Sequence, residues 1–180
     1  MNPLAELADA VRGWGAILRG RSDAAGFFRL TNAGIAVASG YFVLALLLSV
    51  AAQSAAIGMP GLGQVLFGLV AQAITLAVLI FAMARSLRLL RLNVPLTTLV
   101  VPVLYALSFV FVIGIPLTLM SPNMALIAVF ALGYGIFRAA EVLAGMRFGV
   151  AFAFALLCVI VLVVVPNGLY MLLSVLPSFA

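Results

Sequence analysis

Between Arg29 and Arg85, between Arg91 and Arg138, and again after Arg147, the chain carries no charged side chain. These runs constrain the fold more than any other feature. A helix needs ~20 mostly apolar residues to cross a hydrocarbon core of ~30 Å. In lipid, only an element that satisfies its own backbone groups can span. Turns bearing Gly, Pro or Arg divide the chain into stretches of that length, predicted at Asn32–Gln53, Gln64–Ala84, Leu96–Leu119, Pro122–Ala144 and Val150–Leu173. Composition points the same way: 7% of residues are charged, against roughly 25% in soluble domains. The predicted fold class is all-α, a polytopic bundle of five transmembrane helices over residues 32–180. Residues 1–31 form a separate N-terminal segment.

That segment reads as an amphipathic helix. Asn2 and Pro3 make a good helix start, cap followed by proline at the first helical position. Leu4, Leu7, Val11, Trp14 and Leu18 recur at steps of three and four, which places them on one face. Glu6, Asp9, Arg12 and Arg19 fall elsewhere on the wheel, and Gly20 suits a C-cap. A helix with Trp14 on its apolar side and Arg19 beside it suits the cytoplasmic membrane interface. The competing reading packs it against a soluble partner or the protein's own loops. Glu6, Asp9 and Arg12 break the first apolar run, which argues against a signal peptide.

The basic residues set an orientation. All nine are arginine, against four acids, for a net charge of +5. Arg12, Arg19, Arg21 and Arg29 precede the first span. Arg85, Arg88 and Arg91 lie between the second and third, and Arg138 and Arg147 flank the turn between the fourth and fifth. Threading the spans back and forth brings every arginine to one side. Positive residues favour the cytoplasm, so the N-terminus is expected there and the C-terminus in the periplasm. Exclusive use of arginine suggests a GC-rich bacterial genome and hence an inner membrane. The stems of Arg85, Arg88, Arg91 and Arg147 can lie along lipid while their heads reach phosphates. Anionic lipids are therefore the expected counter-charge, not nucleic acid.

Catalytic constellations are missing from the sequence. There is no His for a triad or for most metal sites. There is no Lys for a Schiff base or a P-loop. No catalytic, cofactor-binding or metal-binding residue is assigned. Cys158 is expected to pack as a small hydrophobe. Arg138 and Glu141, three apart, share a helical face and read as a snorkelling interfacial pair, or as a polar contact docking the N-terminal helix or a partner. Gln72 and Thr75 read as interhelical hydrogen-bonding glue, worth ~0.6–2 kcal/mol per bond. Small residues at four-residue spacing allow close helix approach: Gly34 with Ala38, Ala36 with Gly40, and Ala131 with Gly135 and Ala139. Pro102 and Pro116 are expected to kink the third span, and Pro166-Asn167-Gly168 to interrupt the fifth near its far end.

The layout resembles the Yip1-like superfamily of small five-span membrane proteins, in its bacterial form. The residues that carry the resemblance are the lead Val11-Arg12-Gly13-Trp14 followed by Gly26-Phe27-Phe28-Arg29, the proline-containing third span, and the terminal hairpin opened by Phe137-Arg138-Ala139-Ala140-Glu141-Val142-Leu143. The resemblance implies an integral membrane scaffold. Eukaryotic relatives contact small GTPases, which this chain, with no long N-terminal domain, is not expected to do. The functional expectation is a non-enzymatic scaffold or accessory subunit bound to another membrane protein or to itself. The alternative is a small transporter or permease with a site among the second, third and fifth spans, where proline-broken helices could line it.

Overall fold

The computed structural model describes residues 3–58, 61–120 and 124–174. These residues form six α-helices: α1 (Pro3–Leu18), α2 (Asn32–Ile57), α3 (Leu62–Leu89), α4 (Thr97–Met120), α5 (Met124–Ala144) and α6 (Phe148–Ser174). A short 3-10 helix, Ser22–Phe27, joins α1 to α2. Among the described residues, α2 to α6 are the helices long and apolar enough to cross a membrane. The chain is thus a polytopic membrane bundle of five spanning helices.

Helix ends follow local chemistry. Thr31 caps α2, its hydroxyl accepting from the Gly34 amide at 3.2 Å. Gly20 ends α1 in the left-handed region, φ 71°. Around it the Gly20 amide donates to the Ile17 carbonyl (2.9 Å) and the Arg21 amide to Ala16 (3.0 Å), the paired bonds of a Schellman cap. Arg91 repeats that arrangement after α3 with φ 52°, a conformation that costs a non-glycine residue energy. At ~1.5 Å per residue α3 is about 42 Å long, longer than the hydrocarbon core. Its arginine-bearing end therefore projects past the apolar layer.

Among the described residues, α2 packs along α4, α4 along α5, α5 along α6, and α6 along α3. The sequence neighbours α2 and α3 share no packed seam. α4 is the most enclosed span, with Leu99–Ser108 buried on every side. α2 presents Ala38, Phe42, Ala45 and Ser49 to the bundle, and α3 presents Ala71, Thr75, Leu79, Met83 and Leu87. Both sets follow the three- and four-residue spacing of a single helical face. Cys158 on α6 is fully buried.

Pro166 behaves otherwise than expected: α6 continues through it to Ser174. α4 likewise runs unbroken through Pro102 and Pro116. A proline forfeits one helical hydrogen bond, but leaving the helix within lipid would forfeit several. The Asn167 amide also donates to the Val163 carbonyl at 2.6 Å, reinforcing the turn around Pro166. Asn2 and Pro122, read as part of two helix starts, lie outside the described residues.

Candidate functional site at the arginine-rich end

α1 does not dock on the whole of its predicted apolar stripe. Ala10, Gly13, Trp14, Ala16 and Ile17 are the buried residues, whereas Leu4, Val11 and Leu18 are exposed. The face that docks is largely the small-residue one, next to the predicted stripe. Close approach explains the choice. A Cβ added at Gly13 would stand 2.6 Å from the Phe28 ring, and one added at Gly135 on α5 would stand 3.1 Å from the Trp14 ring. The helix is seated between the 3-10 segment and α5, with its Trp14 reaching α4.

Trp14 corrects the lipid-interface assignment. It is only 8% exposed. Its indole Nε1 donates to the Pro102 carbonyl at 3.1 Å, across 88 positions of sequence. An indole donor needs a partner when buried, and α4 supplies it. Arg19, Arg85, Arg88, Arg91 and Arg147, by contrast, are all exposed, as contact with headgroups would require. Arg85 also lies over the Phe81 ring, 5.0 Å from its centroid, a cation–π contact that holds its stem along the apolar surface.

Arg138 and Glu141 pair at 2.6 Å with side chains 23% and 20% exposed. A Cβ added at Gly20 would stand 2.8 Å from a guanidinium nitrogen of Arg138. Arg138 therefore closes against the C-terminal end of α1, where a cation suits the helix dipole. A second ion pair, Arg29 with Glu6 at 3.5 Å, ties the start of α1 to the lead-in of α2. Together with Asp9, Gly26, Phe27, Phe28 and Tyr105, these two residues line a cavity of about 210 Å³. The Tyr105 ring stacks obliquely on Phe28 and Tyr41, at centroid distances of 6.4 and 5.9 Å.

The other predicted residues divide. Ala38 and Ala139 are fully buried. Gly34 is not a helix–helix contact: a Cβ there would meet the Arg29 carbonyl oxygen at 1.8 Å, so the glycine admits the chain's own backbone. Ala36, Gly40 and Ala131 face outward, leaving those positions no role in internal packing. The Thr75 hydroxyl donates within its own helix, to Ala71 at 2.7 Å, and so is not a bridge between helices. Gln72 and Thr75 do line a second cavity, about 160 Å³, where all five spans converge among apolar side chains such as Phe42, Leu107, Leu132 and Val159.

The Glu6–Arg29 contact had no signal in the sequence beyond two opposite charges separated by 23 positions. Among the described residues no cluster of His, Cys, Asp or Glu could hold a metal ion. Compared with known proteins, the chain matches no family model, no curated protein and no solved structure.

Proposed function

We propose that this chain is a non-enzymatic scaffold or accessory subunit of a complex in a bacterial inner membrane, its arginine-rich end in the cytoplasm and its C-terminus in the periplasm. One observation carries the reading. α3 is only 17% buried in its membrane window and packs mainly along α6, leaving Leu66, Val70, Ile74 and Phe81 outward. A span fixed along one edge offers a face for another helix. The Yip1-like resemblance implies the same role, and the positive-inside rule supports the orientation.

The test is photo-crosslinking in intact membranes from Ile74, with Val164 on α6 as comparison, followed by mass spectrometry after mild solubilisation. A single adduct of defined stoichiometry from Ile74, absent from Val164, is the expected result. Lipid adducts alone from both positions would refute the scaffold. A reporter enzyme fused after Ala180 should be active in the periplasm and inactive in the cytoplasm.

The convergence cavity favours a second reading, a small permease. It adjoins α3, α4 and α6, the spans where such a site was expected, and holds Gln72 and Thr75. Solute uptake into liposomes by the purified chain, abolished by Gln72→Leu, would select it over the scaffold.

A further inference from the structure

The cavity where the five spans converge holds a polar group that the fold leaves unused. Gln72 is about 15 Å along α3 from Leu62. The uncharged part of that helix, residues 62–84, is about 35 Å long, so Gln72 sits near mid-bilayer. Among the described residues its carboxamide makes no hydrogen bond. The side chain is half-buried, and its amide atoms are accessible, not sealed in the packing. An amide without a partner is costly in hydrocarbon, and this one belongs to the cavity wall. Thr75, one turn on, lines the same wall. Its hydroxyl hydrogen is committed to the Ala71 carbonyl at 2.7 Å, so it offers an acceptor oxygen. The remaining wall is apolar, and its two rings, Phe42 and Phe111, stand edge to face at 5.6 Å.

Size and chemistry together select an occupant. The cavity is about 160 Å³, and an apolar cavity of ~150 Å³ stays dry and admits a benzene ring. Here the wall adds an amide donor and a hydroxyl acceptor on one helix face. We propose that the cavity binds a single-ring aromatic alcohol, a phenol or quinol, dissolved in the membrane. Its ring lies against Phe42 and Phe111, and its hydroxyl accepts from Gln72 Nε2 and donates to Thr75 Oγ1. α2 and α3 both line the cavity but share no packed seam, so the ring enters sideways from lipid. The inference concerns occupancy alone and holds whether or not a solute crosses the membrane.

The test is fluorine NMR of the full chain in mild detergent with para-fluorophenol and fluorobenzene, which differ by the hydroxyl alone. The readout is the ratio of the two affinities, and comparing variants cancels the ligands' unequal partition into micelles. That ratio should favour para-fluorophenol about tenfold more in the native chain than in Gln72→Leu, the scale of one hydrogen bond. Fluorobenzene should still bind Gln72→Leu, showing that cavity and fold survive. Thr75→Val, of similar shape, should lower the ratio as well, and Gln64→Leu, outside the cavity, should leave it unchanged. A prenylated para-fluorophenol should compete at lower concentration than its parent, whereas weaker competition overturns entry from lipid in favour of a soluble phenol. Binding of neither ligand to the native chain overturns the proposal. So does a ratio unchanged in Gln72→Leu or, should that variant not yield folded protein, in Thr75→Val.

Discussion

If α1 is seated by Trp14, a conservative change there should release it by a calculable amount. Trp14→Phe keeps an aromatic ring beside Gly135 but removes the donor to the Pro102 carbonyl. The carbonyl is left in a nearly closed environment, since Trp14 is 8% exposed and Pro102 fully buried. An acceptor stranded this way costs about 1–3 kcal/mol, or roughly 5- to 150-fold in the population of undocked helix. The readout is maleimide labelling of an Ala10→Cys variant in detergent. Ala10 is 1% exposed on the docked face, and Cys158 is 0% exposed and should stay silent. Labelling should accelerate by that factor in the Trp14→Phe background. Gly135→Ala places a methyl 3.1 Å from the same indole, so the two substitutions share a contact and should couple by about 0.5–3 kcal/mol. Additive effects, or a labelling rate indifferent to Trp14→Phe, would mean that the indole is out in the lipid and that the docking argument is wrong.

Three further outcomes follow from local geometry. Gly13→Ala drives a methyl into the Phe28 ring, with contacts of 2.6 and 2.7 Å, and should cost about 1–3 kcal/mol of docking in the same labelling assay. Gly34→Ala meets backbone, the Arg29 carbonyl at 1.8 Å; the yield of monodisperse protein should collapse, while Gly40→Ala, with open space around it, should change stability by about 0.5 kcal/mol or less. The hydrogen bond from Arg21 holds the Asp23 carboxyl below its ordinary range. Its contribution is present above the unfolded pKa and disappears only as pH falls through the lowered folded value. Both side chains are about half exposed and screened by solvent, so Asp23→Asn should leave thermal stability at neutral pH nearly unchanged, and a large drop would contradict this.

The spans were legible because hydrophobic length is the property lipid selects. Observed ends of α4 and α6 fall within a few residues of those read from the sequence, α3 carries its helix past Ala84 into the arginine-bearing stretch, which also read as helical, and α2 runs on to Ile57. Gly20 was legible as a cap because only its position and type mattered. Trp14 was not. The usual reading buries the largest apolar residues, but that holds where the alternative is water. Beside a bilayer, Leu4, Val11 and Leu18 lose little by facing outward, so shape selects the Ala10–Gly13–Ile17 side. The centrality of α4 was hidden for the same reason. α2 and α6 are as apolar around their circumference, and a helix apolar on all sides signals burial only where the solvent is aqueous. Pro166 misled because a Pro-Asn-Gly run ends helices where water can take the freed carbonyls, and hydrocarbon offers them no such partner.

What holds α1 down is a contest between charge and shape, and magnitudes favour shape. Among the described residues, four ion pairs stand out at this end of the molecule. Arg12–Asp9 and Arg21–Asp23 are about half exposed or more, and solvent screening leaves pairs of that kind worth little. Arg29–Glu6 is loose at 3.5 Å. Arg138–Glu141 is short, but its two members sit on one helix, so the pair itself forms whether or not α1 is docked. Against these stand Ile17, with no exposed surface, and Trp14. Losing the indole's bond alone would strand the buried Pro102 carbonyl, at about 1–3 kcal/mol. Raising salt to about 1 M shortens the screening length to ~3 Å while leaving apolar burial intact. Labelling of the Ala10→Cys variant should therefore change by less than about twofold between low and high salt, well short of the Trp14→Phe effect. A helix that came off in salt would show that the charges fasten it, and that the small-residue face is only where it comes to rest.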